Sequence, residues 1–176
     1  MKLLMAIWVL ALSSKALCAS VLTEFDDDQQ DIQWRVVNDS VMGGRSIGDF
    51  QLDAGRLIFS GKTNTRGGGF SSIRSVPGRL RIPVDAIGVE LVGKGDGRTY
   101  TFRVQTSSGT SYWADFPTSG DWQPIQIPFS DFLPRWRGRL LTGPPLDPSQ
   151  IVSLGLMIYD KEDGDFSITL DKITLL

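Results

Sequence analysis

The feature that most constrains this chain is a period-two alternation of apolar and polar side chains in short runs. Residues 100–104 and 166–170 both alternate in this way. Alternation places successive side chains on opposite faces of an extended strand, so that one face can pack against a core. The 19 glycines and 9 prolines are spread between the runs and indicate many turns. The sequence therefore predicts an all-β fold built as a two-layer β-sandwich.

Further strand candidates share this pattern between turn residues, and they are residues 56–60, 70–76, 89–92, 111–116, 122–127, 153–159 and 173–175. Residues 154–159 are apolar on both sides, which is typical of a central strand. The Asp-Gly pair within residues 161–165 predicts a hairpin between two strands. Asp147 and Pro148 predict a single helical turn, because Asp can cap it and Pro can occupy its first position.

The start of the chain predicts a signal peptide at residues 1–19. Lys2 precedes an apolar run over residues 3–12, and small residues follow. This run is too short to span a bilayer, so we predict no stable membrane span after cleavage. The alternative is an N-terminal strand or buried helix of the domain. We predict residues 20–31 as an exposed lead-in, residues 32–176 as the folded domain, and an exported protein with a periplasmic or extracellular location.

Missing residue types limit the chemistry. The chain has no histidine, and its one cysteine, Cys18, lies in the predicted leader. A Ser-His-Asp triad, a His-ligated zinc site and thiol chemistry are therefore excluded for the mature chain. A carboxylate pair for glycoside hydrolysis stays open. The stretch that begins at Asp160 does not match an EF-hand loop, because its sixth position, which should be glycine, is Asp165. A structural calcium ion held by loop carbonyls stays an open alternative. We predict that the chain is not an enzyme and binds no cofactor or metal.

The charge balance argues against a nucleic-acid partner. The chain has 18 basic and 20 acidic side chains, and loss of Lys2 and Lys15 with the leader lowers the basic count to 16. Proteins that bind nucleic acids usually present a net basic face. One local exception, residues 134–139, places three arginines around Trp136. This segment indicates either an anionic or sugar ligand or a solvated loop whose arginine stems cover apolar surface.

The most distinctive segment is residues 34–46, where an aromatic strand runs into an Asn-Asp turn, a methionine and a glycine pair. Its notable residues are Trp34, Asn38, Asp39, Met42, Gly43, Gly44 and Ser46. The Asn and Asp side chains can satisfy the amides of a tight loop. The glycine pair accepts dihedral angles or contacts that are forbidden to larger residues. The segment is a candidate either for binding or for turn formation and core packing.

An ordered set of segments carries a resemblance to a known family. They are residues 34–46 (W…NDxVMGGxS), residues 68–71 with Arg74 (GGF-S…R), residues 95–100 ending at Tyr100 (GDGRxY), Trp122, residues 127–132, and residues 154–166 through Asp160. Together they resemble the CIA30 family, the complex I intermediate-associated protein 30 family, over about residues 32 to 176. The ordered set is far more specific than any one motif.

This resemblance implies a galactose-binding-like domain, a jelly-roll β-sandwich of two antiparallel sheets, which agrees with the strand pattern. Mitochondrial members of the family assist assembly of NADH:ubiquinone oxidoreductase, so the resemblance also implies a non-catalytic interaction or assembly factor. Ser40 stands where the family commonly has glycine, a change that we expect to alter only turn geometry. The predicted leader would place this chain away from the NADH-oxidising arm of complex I.

Two functional hypotheses from different classes follow. In the first, the chain is an exported interaction or assembly factor, and an exposed sandwich face holds a membrane-associated protein client. That face would be formed by Trp34, Asn38, Asp39, Met42 and Arg74.

In the second hypothesis, the chain is an exported carbohydrate-binding module. Exposed tryptophans such as Trp113 or Trp136 would stack on sugar rings, while Asp, Asn and Arg side chains hydrogen-bond the hydroxyl groups. A groove with two coplanar exposed aromatic rings would favour the sugar, and a broad apolar patch would favour the protein client.

Overall fold

The computed structural model describes residues 20–25, 32–78 and 80–176. Within them the chain forms thirteen strands, which are β1 (Val21–Thr23), β2 (Trp34–Asn38), β3 (Ile47–Asp53), β4 (Arg56–Thr63), β5 (Ser71–Ser75), β6 (Gly88–Lys94), β7 (Thr99–Thr106), β8 (Ser111–Pro117), β9 (Gln123–Pro128), β10 (Leu133–Trp136), β11 (Arg139–Leu140), β12 (Ile151–Ile158) and β13 (Gly164–Leu175). Short 3-10 turns occupy Asp39–Met42, Phe129–Asp131 and Pro148–Gln150.

The strands pair into two antiparallel sheets. The first sheet has the order β3-β4-β13-β6-β9, with β1 paired to β13. The second sheet has the order β11-β10-β8-β7-β12-β5-β2. Strands that follow one another in the chain often lie in different sheets, as in a jelly roll. The predicted all-β sandwich of two antiparallel sheets is confirmed.

The core lies between the sheets and is built from the inward phase of each alternating strand. On β7, the side chains of Tyr100, Phe102 and Val104 are fully buried. On the facing sheet, Phe166 and Ile168 of β13 are buried as well, and the rings of Tyr100 and Phe166 lie 6.5 Å apart. Each such side chain contributes about 1.5–3 kcal/mol by leaving water. The outward phase of β7 and its neighbours is thereby left free to form a binding surface.

The central position of β12 is confirmed, but the predicted hairpin after it is wrong. β12 lies between β7 and β5 in the second sheet, whereas β13 belongs to the first sheet. The connection over residues 159–163 therefore passes from the second sheet to the first. The reason is that both strands have two hydrogen-bonded neighbours already, β7 and β5 for β12, and β4 and β6 for β13.

Two local predictions are tested by the turn at Pro148–Gln150 and by the N-terminal segment. The predicted helical turn is confirmed, because the Asp147 side chain accepts from the Ser149 backbone N–H at 3.0 Å. The predicted exposure of the lead-in does not hold at Phe25, although Ser20, Val21 and Glu24 are exposed. β1 pairs with β13, and Phe25 is buried against the core beside Trp34.

The predicted signal peptide at residues 1–19 lies outside the described residues, as do residues 26–31 of the lead-in. Among the residues that are described, no helix has the length and apolar character needed to cross a membrane.

Candidate functional site

A groove of about 790 Å³ crosses the outer face of the second sheet. Its floor is formed by outward-facing side chains of β2, β5, β12, β7, β8 and β10. The floor residues include Val37, Arg74, Met157, Arg103, Trp113 and Arg135. Strands are spaced about 4.8 Å apart, so these six strands give the groove a length of about 24 Å.

One row of the sheet register places positive charge along the floor. Arg35 of β2 pairs with Arg74 of β5, and Arg74 pairs with Gly155 of β12. Gly155 in turn pairs with Arg103 of β7, which pairs with Trp113 of β8. Residues that are register partners on one face of a sheet are side-chain neighbours. Three arginines and a tryptophan therefore share one cross-strand row.

Arg103 is the most buried charged residue of this row, with only 5% of its surface exposed. Its terminal guanidinium nitrogen donates to the Ser111 hydroxyl, but its Nε has no hydrogen-bond partner. Burial, and then the positive charges of Arg74 and Arg35, lower the pKa of Arg103 to about 9. The group thus stays charged at neutral pH in a site that disfavours its charge.

Arg74 is half-buried beside it. Its Nε donates to the Ser72 hydroxyl at 3.2 Å. Burial, together with the positive charge of Arg35, lowers the pKa of Arg74. Arg74 therefore adds a second desolvated guanidinium to the floor of the groove.

Trp113 continues the floor on β8. Its indole Nε1 is buried and has no hydrogen-bond partner. The guanidinium carbon of Arg135 lies 6.0 Å from the ring centroid, and the ring of Tyr159 packs against it edge to face at 6.1 Å. Because these two rings are nearly perpendicular, they do not form a flat platform for a sugar ring.

The two rims of the groove are apolar and exposed. One rim comes from the 3-10 turn Asp39–Met42, and the other from the segment around β10 and β11. The exposed rim side chains are Val41 (70%), Met42 (50%), Trp136 (57%) and Leu141 (41%). Arg137 lies over the Trp136 ring at 4.7 Å.

The signature loop, residues 39–46, is organised around the buried carboxylate of Asp39. This carboxylate accepts from the Ser46 N–H at 2.8 Å, the Ser46 hydroxyl at 2.6 Å and the Gly69 N–H at 2.7 Å. Burial by itself raises the pKa of Asp39, but these hydrogen bonds and one from Phe70 outweigh it and lower the pKa. Asp39 thus ties the signature loop to the segment that precedes β5.

The glycines of the two motifs make room for that carboxylate. A Cβ atom at Gly44 or at Gly68 would overlap the Asp39 side chain. Gly43 has a φ of 84°, in the left-handed region that glycine adopts readily. The predicted role of Asp39 in an exposed binding face is therefore wrong, because its hydrogen bonds hold the loop together from inside.

Other predicted site residues also stabilise the fold rather than line the groove. Trp34 packs against the core. The Asn38 side chain donates to the Gly48 carbonyl at 3.1 Å and accepts from the Ser71 hydroxyl at 2.6 Å. Tyr100 is fully buried.

Asp160 belongs to a separate, smaller pocket of about 410 Å³ beside the groove. Both of its carboxylate oxygens accept from Arg98, at 2.7 Å from Nε and 2.6 Å from a terminal nitrogen. Arg98 also donates to the carbonyls of Glu162, Gly164 and Asp165. This pair fastens the β6–β7 loop to the β12–β13 connection.

Of the predicted site residues, the structure brings Met42, Arg74, Trp113 and Trp136 together at the groove. Sequence reasoning missed Arg103, although it occupies the outward phase of the alternating β7 strand. A usable signal was Gly155, since a glycine inside an apolar strand often marks the close approach of another group.

Metal ligation has little support from the described residues, in which no three His, Cys, Asp or Glu side chains are grouped so that they could hold an ion.

Comparison with known sequences gives one family and one curated relative. The family described as Complex I intermediate-associated protein 30 (CIA30) matches residues 23–170. An uncharacterized protein of Schizosaccharomyces pombe is 33% identical in an alignment that covers 80% of this chain and 76% of that protein.

Comparison with solved structures gives carbohydrate-binding modules. The family 11 module of the cellulase Lic26A-Cel5E of Clostridium thermocellum aligns with a TM-score of 0.62 at 16% identity, covering 90% of this chain and 94% of the module. The same kind of module in complex with a β-1,3-1,4-mixed-linked tetrasaccharide aligns with a TM-score of 0.62 at 17% identity, covering 90% and 95%. A family 29 module gives 0.55 at 9% identity, covering 89% and 87%. At this identity the likeness concerns the fold alone, and it confirms the galactose-binding-like jelly roll.

Proposed function

The chain belongs to the CIA30 family, and from this premise we propose that it is a non-catalytic, assembly-type binding protein that holds a segment of a protein client in the groove. The observation that carries the proposal is the pair of exposed apolar rims. Aliphatic and methionine side chains such as Val41, Met42 and Leu141 suit the varied side chains of a polypeptide. A segment of about seven residues in an extended conformation would span the groove.

Photo-crosslinking from the rims tests this function. A benzoylphenylalanine residue is placed at Met42 or at Leu141, and a third variant carries it at Trp122, an exposed residue beside β9 of the first sheet. We expect the two rim variants to crosslink to the same segment of the same client, and the Trp122 variant not to do so. Crosslinking that is equal from all three positions would contradict the proposal.

A binding measurement completes this test. A synthetic peptide with the sequence of the crosslinked segment should bind the purified protein. The double substitution M42S/L141S should weaken binding by about thirtyfold, because each of the two truncated apolar contacts is worth about 1 kcal/mol.

A second candidate function is carbohydrate binding, and it is supported by the exposure of Trp136 and by the fold of the modules above. A glycan array distinguishes the two candidates. If the ligand is a sugar, W136A should abolish the array signal while M42S/L141S leaves it unchanged. If it is a protein segment, no glycan should give a signal that depends on Trp136.

We propose further that the protein is exported and meets its client on the exported side. This rests on the leader predicted at residues 1–19. Fusion of these residues to alkaline phosphatase, which is active only after export, should give active enzyme. The same fusion with L10K, which places a charge in the apolar run, should stay inactive. Activity that is equal with and without the charge would contradict export through this segment.

A further inference from the structure

We propose that the groove contains a carboxylate anchor, in which Arg103 and Arg74 bind an acidic side chain within an otherwise apolar segment of the client. This inference rests on the proposed function and names the chemistry that the client must bring.

The first observation is the absence of a counter-charge. Among the described residues, the ion pairs are Arg56–Asp171, Lys62–Asp165 and Arg98–Asp160, and none includes an arginine of the groove floor. Buried charged groups are ordinarily paired, because an unpaired charge loses its hydration without compensation. Two desolvated guanidinium groups side by side therefore leave a place for an anion.

The second observation is a pair of donors without acceptors. Arg103 Nε and Trp113 Nε1 are both buried without a partner among the described residues, and the two residues are register partners on β7 and β8. Buried donors are satisfied in nearly all native structures. A carboxylate has two oxygens and about four acceptor positions, so one such group can accept from both.

The third observation concerns the space for Arg103. A Cβ atom at Gly155 would lie 2.8 Å from Cγ of Arg103 and 2.9 Å from the Ile73 carbonyl oxygen. The glycine thus leaves room for the stem of Arg103 beside β12, while the terminal nitrogen of the same side chain donates to Ser111 of β8. Met157 is also buried on this face, so an apolar side chain lies in the floor together with the two arginines.

The rims select a protein segment over an acidic sugar. A uronic acid chain would place hydroxyl groups against Val41, Met42 and Leu141, whose side chains offer no donor and only the weak thioether acceptor of Met42. In a segment with an acidic residue between apolar residues, the carboxylate would bind the arginines of the floor and the apolar side chains would contact the rims. The groove therefore fits a carboxylate of Asp or Glu in an apolar stretch.

The test uses two pools of synthetic peptides of about eight residues, matched to the length of the groove. Both pools have randomised apolar residues, and they differ only in a central Glu or Gln. Fluorescence anisotropy measures binding to the mature protein. We expect the Glu pool to bind about tenfold more tightly than the Gln pool, since hydrogen bonds to charged groups are worth about 1.5–3 kcal/mol. The difference should shrink between about 0.1 M and about 1 M NaCl.

Substitutions assign the effect to the floor. R103M and R74M should each remove the preference for Glu, while R56M, on β4 of the first sheet and outside the groove, should leave it unchanged. Thermal unfolding checks that each variant is folded. A second readout is the indole N–H resonance of Trp113, identified by its loss in W113F. It should shift on addition of the Glu pool and stay in place with the Gln pool.

The outcomes separate the two levels of the proposal. Binding of both pools with equal affinity would retain the client-binding function and overturn the carboxylate anchor. No binding of either pool, together with binding of oligogalacturonate that is lost in R103M, would overturn the protein client. No binding of peptides or oligogalacturonate would overturn both.

Discussion

Gly155 of β12 and Arg103 of β7 are register partners, and the stem of Arg103 occupies the space that a side chain at position 155 would need. The consequence is that Arg103 lies at the groove floor with 5% of its surface exposed, in the same cross-strand row as Arg74. A buried guanidinium group without a counter-ion lowers the stability of the free protein, and this is the cost expected of the proposed carboxylate anchor.

Replacement of Arg103 by Met is expected to stabilise the free protein. The substitution keeps an unbranched stem beside Gly155 but removes a buried charge that has no acidic partner in the part of the chain that the structure describes. We expect the free energy of unfolding to rise by about 1 kcal/mol or more. Urea denaturation of the mature protein measures this change. R137M is the control, because Arg137 is on the exposed rim, and it should stay within about 0.5 kcal/mol. Destabilisation of R103M would show that the charge has a partner that stabilises it.

Asp39→Asn is expected to destabilise the protein and to change its pH dependence. The Asp39 carboxylate accepts hydrogen bonds from Ser46 and Gly69, whereas the NH2 of an asparagine would face these donors with a donor of its own. We expect the free energy of unfolding to fall by about 3 kcal/mol near neutral pH. Because the pKa of Asp39 is lower in the folded protein than in the unfolded chain, its contribution is present above about pH 4 and is lost as the pH falls through the folded value.

The measurement is urea denaturation of wild type and D39N at about pH 6 and about pH 3. The difference between the two proteins should shrink at the lower pH, because Asp39 of the unfolded chain, whose pKa is higher, takes up a proton there and opposes folding. Acid sensitivity that other carboxylates cause is common to both proteins and cancels in the difference. A difference that is independent of pH would contradict the assigned role of the ionised carboxylate.

Gly44→Ala is expected to disrupt the signature loop. The added Cβ would overlap the Asp39 carboxylate, which has no room to move because Ser46 and Gly69 hold it. We expect the free energy of unfolding, measured by urea denaturation, to fall by about 2 kcal/mol or more. The matched control is Gly120→Ala, where a Cβ meets nothing within 4 Å, and it should be neutral within about 0.5 kcal/mol. Equal effects of the two substitutions would contradict a steric cause.

Arg98→Ala is expected to lower the free energy of unfolding by about 3 kcal/mol, because the substitution leaves the nearly buried Asp160 carboxylate without its partner. The control is Lys62→Ala. Lys62 and Asp165 are both highly exposed and 3.7 Å apart, so the loss should be below about 0.5 kcal/mol. Thermal or urea unfolding of the two variants measures both effects. A small effect of Arg98→Ala would mean that water replaces this pair.

The sequence predicted the sandwich well because its signal is local. Alternation along residues 100–104 places Tyr100 inside and Arg103 outside whatever the neighbouring strands are. It predicted the connection after β12 poorly, because an Asp-Gly turn looks alike whether the strand that follows joins the same sheet or the other one. The strand β3 was missed, since Ile47–Asp53 combines exposed apolar and acidic residues and gains its pairing from β4.

The candidate site shows the same division. The motif residues were visible in the sequence, but Asp39 and Arg74 could not be told apart there, since both are charged residues within a recognised motif. The structure separates them: Asp39 is surrounded by donors from the chain itself, whereas Arg74 has no acidic partner among the described residues and lies on the groove floor.

The sequence by itself thus determined the strand pattern, the inward and outward phases and the family, because these depend on neighbours along the chain. Only the tertiary structure decided that Arg35, Arg74, Arg103 and Trp113 share one row. Their side chains come from strands up to about 80 positions apart, and that row exists only because sheet register, which long-range backbone hydrogen bonds set, aligns them across Gly155.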